Sequence, residues 1–215
     1  MERPRSDGRS SATQKRLVDV TIRILAESGH ARATIQRICE EAGVSNGGVF
    51  RHFATRDELL VRVGEELAVR IMDAFVTGRR TNFDPVEGEH PLMPLLRETR
   101  RVSRSEIGLA WREVLLAARY SEKLVDSLRP AIERMRATML QYACDLTGLH
   151  ASDPAAVRLA MVLLTAVHVF NSEACFDFHP SIEGDELRLS WMAEVLAIEV
   201  ARAVSGSHVG SGKAS

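Results

Sequence analysis

The stretch that decides the fold is Thr34 to Leu60, TIQRICEEAGVSNGGVFRHFATRDELL, which spells two short helices joined by a tight turn. Ile35, Ile38, Cys39 and Ala42 fall at i, i+3, i+4 and i+7, one apolar stripe of a first helix. Thr34 before it is a natural N-cap, because its hydroxyl accepts from a backbone N–H that the first turn leaves unpaired. Gly43 stops that helix where a left-handed residue costs least. Val44 plugs the gap between the helices, and Ser45 is placed to cap a second helix expected from about Asn46 to Phe53. The spacing is that of a helix-turn-helix, whose second helix offers its N-terminal residues to base edges in a DNA major groove while the first crosses the backbone.

Outward from this segment the pattern continues in order. LVDVTIRILAESGH, from Leu17 to His30, precedes it and reads as one more helix closed by Gly29, while FRHF and RDELL follow the turn AGVS. On these residues the chain resembles the TetR (tetracycline-repressor) family of transcriptional regulators, over roughly its first third. The family usually carries Tyr where this chain has Phe50, Ala or another small residue where it has Cys39, and Lys where it has Arg56. In relatives the Tyr hydroxyl commonly touches a DNA phosphate, so Phe50 implies that this contact is absent or supplied by another residue such as His52. Arg56 keeps the positive charge and adds a fork that can grip a phosphate twice.

Composition agrees with an all-α protein. The 215 residues are 45% hydrophobic and only 5% aromatic. Alternating apolar and polar runs are scarce, while Ala, Leu, Arg and Glu abound. Cys39, Cys144 and Cys175 lie in helical, largely apolar sequence without CxxC spacing, so neither a disulfide framework nor a zinc site is expected. Met1 to Gln14 is polar and carries Arg3, Arg5 and Arg9, unlike a secretory signal. Leu159 to Phe170, the longest apolar run, is interrupted by His168 and falls short of the ~20 residues a membrane helix needs. A soluble, cytoplasmic, nucleoid-associated protein without membrane contact is expected.

Charge is nearly balanced, with 28 basic against 29 acidic residues. Its distribution is not. Residues 1–56 hold ten Lys or Arg against six Asp or Glu, a net of +4, which leaves −5 on the remainder. A basic head on an acidic body suits contact with polyphosphate at one end only, although a fluctuation of a few charges would look the same.

Four segments are expected. Residues 1–12 form a disordered tail, either solvated or laid in a minor groove. Residues 13–58 are the DNA-binding domain, whose first helix turns Leu17, Val20, Thr21 and Ile24 inward. Residues 59–204 are a helical ligand-binding and dimerisation domain, and the Gly- and Ser-rich residues 205–215 form a second disordered tail. Thr55 caps a long helix to about Arg80, with Asp57 and Glu58 suiting its dipole. Thr81 to Pro94 reads as an irregular connector, with three prolines and a glycine. Helical patterns then run from Leu95 to Tyr120 with a break near Ser103–Gly108, and over 121–147, 153–176 and 185–204. The penultimate helix is apolar on nearly every side and the last spreads its apolar residues widely. Two copies of this pair would bury the surplus as a four-helix bundle, making a homodimer that meets a palindromic site.

Thr34, Gln36, Arg37, His52 and Arg56 are the candidate phosphate contacts, and Ser45, Asn46, Gly47, Gly48, Val49, Phe50 and Arg51 complete the candidate DNA face. Asn46 can bond an adenine edge or a phosphate, and Val49 can lie against a thymine methyl. Gly47 and Gly48 each cost a helix ~1 kcal/mol relative to Ala, which close approach of DNA would explain, as would a short helix held by packing. The resemblance implies a small-molecule effector of unknown, largely apolar kind. Candidate lining residues are Met72, Phe75, Trp111, Met135, Met139, Met161, His168 and Asn171, each apolar one equally readable as core. His168 and Asn171 share a face and could orient a ligand or satisfy each other at a dimer seam. No catalytic motif, cofactor site or metal set emerges: GxSxG, P-loop and HExxH patterns are missing. The chain therefore reads as a ligand-released repressor of an operator in double-stranded DNA, the alternatives being a ligand-independent regulator or a sensor that activates.

Overall fold

The computed structural model describes residues 5–81, 93–173, 190–195 and 198. Among the described residues all regular structure is helical, the expected all-α class. The elements are α1 (Arg5–Ser28), a 3-10 turn (His30–Arg32), α2 (Ile35–Ala42), α3 (Asn46–Phe50), α4 (Arg56–Thr81), α5 (Met93–Arg104), α6 (Glu106–Ala118), α7 (Glu122–Thr147) and α8 (Pro154–Glu173). Residues 190–195 are helical as well.

Two boundaries differ from the sequence reading. α1 begins at Arg5 rather than Thr13: residues 5–12 hold no proline to break a helix, although Gly8, Asp7 and three serines weaken it there. α3 is shorter than expected and ends at Phe50, with the chain continuing as turns in which His52 N–H donates to Val49 O at 2.9 Å. Elsewhere the punctuation is as read: Ser105 separates α5 from α6, and Gly148 follows α7 with φ 69°. Residues 82–92, most of the expected connector, lie outside the described residues.

The chain divides into two compact units. The first joins Met1–Ile71 to Ser105–Ile132, and the second joins Met72–Arg104 to Glu133–Ser215. The first unit therefore holds the three head helices together with α6 and the start of α7, a grouping that cuts across the expected boundary at residue 58. Leu17, Ile22, Ile24 and Leu25 of α1 are wholly buried. One turn of a helix face cannot hide all four. α1 is enclosed because α2 packs on one side and α6 on another. Thr21, also buried, satisfies its hydroxyl by donating to Leu17 O at 2.7 Å. Close approach of helices is visible at Gly64 of α4, where a Cβ would run into Leu128 of α7 and press on Val114 of α6.

In the second unit Met139, Ala143, Leu159, Ala160 and Leu163 form one apolar cluster between α7 and α8, with Met72 and Leu164 packed on it. Met93, Leu96, Ala166 and Ala193 form another. These clusters leave part of α8 and the last helix bare. Met161 is 64% exposed, Trp191 59% and Val195 62%.

Candidate nucleic-acid interface

The reading head is built from caps. Thr34 Oγ1 accepts from Arg37 N–H at 3.2 Å, which starts α2 as expected. Gly43 ends α2 at φ 61°, ψ 40°, and Val44 N–H returns to Cys39 O at 3.0 Å, so the helix closes in a left-handed stop. Ser45 Oγ accepts from Gly48 N–H at 3.2 Å and starts α3. Two caps and a glycine thus set the ends of α2 and α3 through local hydrogen bonds. Thr55 Oγ1 likewise accepts from Glu58 N–H, and the Glu58 carboxylate accepts from Ala54 N–H, so two backbone donors at the start of α4 are satisfied.

The outward side of α3 carries Asn46, Gly47, Phe50 and Arg51, all exposed. Val49 does not belong to it. Its side chain is fully buried, so the expected thymine contact is withdrawn: in a helix of five residues the side opposite the solvent must anchor the element, and Val49 with Phe53 is that anchor. The two glycines also separate. A Cβ on Gly48 would meet Val44 Cγ1 at 2.5 Å, so this glycine answers to packing inside the head. A Cβ on Gly47 would meet nothing within 4 Å, so packing inside the head does not require this glycine.

The expected phosphate contacts are partly committed within the chain. Arg56 donates from Nε to Ala33 O at 2.9 Å and from Nη2 to His30 O, clamping the 3-10 turn. Arg37 pairs with Glu41 at 2.8 Å, and Arg23 reaches the other oxygen of the same carboxylate at 3.0 Å. The hydrogen bonds from Arg37 and then Arg23 hold the Glu41 carboxyl below its ordinary range. Gln36 donates to Glu40 at 3.0 Å. His52 is half-buried beside the Phe53 ring.

Sequence reasoning missed three residues that shape this surface. Glu41 was legible as an i+4 partner of Arg37. Cys39 and Glu113 were not. Cys39 Sγ donates to Asn46 Oδ1 at 3.0 Å, tying α2 to the first residue of α3. Glu113 of α6 accepts from the His30 backbone N–H at 2.8 Å and bonds its Nδ1 at 2.9 Å. Burial alone would raise the Glu113 carboxyl, but the His30 bonds, with Arg112 beside it, hold it below the ordinary range.

Trp111 is buried in the first unit, while Phe75, Met135 and Met139 are buried in the second and Met72 packs on the Met139 cluster. Met161 lines an open groove of about 430 Å³ between α7 and α8, with Arg136, Leu140, Val157 and Leu164. The side chains of His168 and Asn171 lie outside the described residues. Among the described residues no helix is long and apolar enough to cross a membrane, and no three His, Cys, Asp or Glu side chains could hold a metal ion together.

Two capped helices, with the second exposing Asn46, Gly47 and Arg51, define a helix-turn-helix DNA-binding protein. Residues 17–63 match the family model of bacterial regulatory proteins of the tetR family. An uncharacterized HTH-type transcriptional regulator of Mycobacterium tuberculosis is 26% identical over 190 residues, 87% of this chain and 94% of that protein. The HTH-type transcriptional regulator BetI of Rhizobium meliloti is 26% identical over 150 residues, 69% of this chain and 70% of that one. In fold, the multidrug binding protein EbrR complexed with ethidium superposes with a TM-score of 0.61 at 20% identity, covering 87% of this chain and 97% of that one. Residues 17–63 thus form a DNA-binding segment of the tetR type, and over most of its length the chain is similar to HTH-type transcriptional regulators.

Proposed function

We propose that the protein is a repressor that occupies a palindromic operator as a homodimer and leaves it when a small molecule binds its body. The observation that carries this reading is the apolar surface that one chain leaves uncovered: Met161 and Val162 on α8, with Trp191, Val195 and Ile198 beyond it. Covering such a patch with its own copy about a twofold axis removes it from water and duplicates the reading head. Two heads about one DNA turn apart, ~34 to 36 Å or somewhat more, then meet a site with the same symmetry. Ser45, Asn46 and Gly47 approach base edges, while Thr34, Gln36, Arg51, His52 and the remaining N–H groups of Arg37 and Arg56 meet phosphates. The regulator works in the cytoplasm, where its operator lies.

Release follows from population shift: a ligand that prefers the conformation with mismatched heads lowers operator affinity by its differential affinity. Its effector is small and largely apolar. The Met139 cluster is apolar throughout, and Met72 and Met139 have unbranched side chains that repack at low cost. The likeness in fold to a multidrug binding protein solved with ethidium supports an organic effector of that size.

Sedimentation and footprinting on the DNA flanking the protein's own gene test the proposal. A dimer that protects two symmetric half-sites is the expected result. A monomer that ignores those duplexes at low ionic strength removes the reading.

A further inference from the structure

Asn46 is the first residue of α3 and is exposed, whereas Cys39 beneath it is buried. The Cys39 thiol donates to Asn46 Oδ1 at 3.0 Å. Burial, with Glu40 adding to it, pushes the Cys39 thiol up, so it stays the S–H donor through neutral pH. The amide oxygen of Asn46 is thereby turned toward the protein and engaged as an acceptor. What Asn46 offers outward is its NH₂ group, two donors with no partner among the described residues.

This orientation decides which base edge fits. The familiar Asn–adenine pair needs both halves of the amide, one donating to N7 and the other accepting from N6–H₂. An Asn with only donors facing out meets the adenine N6–H₂ as donor against donor. Guanine presents two adjacent acceptors in the major groove, N7 and O6, and cytosine presents only the N4–H₂ donor. We infer that Cys39 orients Asn46 so that it reads an acceptor-only purine edge, making the pair a determinant of guanine over adenine in each half-site. The inference rests on the DNA-binding function proposed above.

Selection of binding sites from a random duplex pool, run on the full-length protein and on Asn46→Ala, Cys39→Ala and Cys39→Ser, tests it. Circular dichroism and thermal unfolding of each variant show that the head remains folded. Asn46→Ala is expected to erase the base preference at one position of each half-site, and that position is guanine for the unaltered protein. Cys39→Ala frees Oδ1 and is expected to let adenine in there, narrowing the guanine-to-adenine preference about tenfold. Cys39→Ser, whose hydroxyl still donates, restores the guanine preference.

Adenine at that position with the unaltered protein overturns the inference. So does a Cys39→Ala variant that keeps the guanine preference, or an Asn46→Ala variant that weakens all sequences equally, which would make Asn46 a phosphate contact. Absence of any enriched sequence for the unaltered protein would instead strike the DNA-binding function itself.

Discussion

The α2–α3 segment and the α7–α8 pair stand at opposite ends of a scale of self-sufficiency. In the first, the helix starts are met by the side-chain caps Thr34 and Ser45, and the inward side chains Ile38, Val49 and Phe53 are almost wholly buried within one chain. In the second, Met139, Ala143, Leu159 and Leu163 bury each other, but Met161 and Val157 beside them do not. A short element that must hold its shape before meeting DNA is completed locally, by hydrogen bonds worth about 1 kcal/mol each. A long element with exposed apolar side chains leaves a surface that the proposed partner, a second copy of the chain, would cover.

The largest effect should come from breaking the unfinished region. If the proposed twofold seam holds Trp191 twice, Trp191→Ala is expected to raise the dimer dissociation constant at least about a hundredfold by sedimentation, while each chain stays helical. An unchanged constant would place the seam elsewhere. Next, Val49→Ala should lower head stability by about 2 kcal/mol in thermal or denaturant unfolding, because it hollows a filled site. A variant of full stability that has lost only DNA affinity would put Val49 back on the surface.

The glycines sharpen the contrast within the finished region. Gly48→Ala should destabilise the free protein by about 1–2 kcal/mol through Val44, whereas Gly47→Ala should leave it equally or up to about 1 kcal/mol more stable while weakening operator binding. Arg51→Ala should flatten the salt dependence of DNA binding by about one unit of slope without changing stability. Arg56→Ala should cost about 1 kcal/mol of stability, since two carbonyl oxygens of the 3-10 turn lose their donor. If Arg56→Ala altered the slope alone, the clamp would not be its main work.

The smallest effect concerns pH. The Glu113 carboxyl is held below its ordinary value in the folded chain, so the stability it adds is present above that value and fades as pH falls through the lower, folded one. Glu113→Gln should show a flatter stability profile in that acidic window and match the unaltered protein's slope at neutral pH.

Much of this was legible in the sequence because its signals are local. Thr34, Gly43, Ser45 and Thr55 act within four residues of themselves, and the stripe Ile38, Cys39, Ala42 lies on one face of one helix. Contacts across larger separations were not legible. His30 and Glu113 are 83 residues apart, and nothing in either neighbourhood names the other. Val49 was misassigned for a related reason: in a helix of little more than one turn, four positions face DNA or core according to neighbours the sequence does not place. Phe50 is half exposed and has no hydroxyl to offer.

The interrupted first unit bears on how this protein can be taken apart. α1 is roofed by α6, which the chain delivers only after passing through α5 of the other unit. A fragment ending at Ile71 would bare the α1 surface that α6 shields and would lose Glu113 from the 3-10 turn. Grafting this reader onto a foreign effector domain therefore demands transplanting a discontinuous pair of segments, and simple exchange of N-terminal halves between relatives should yield chimeras that misfold.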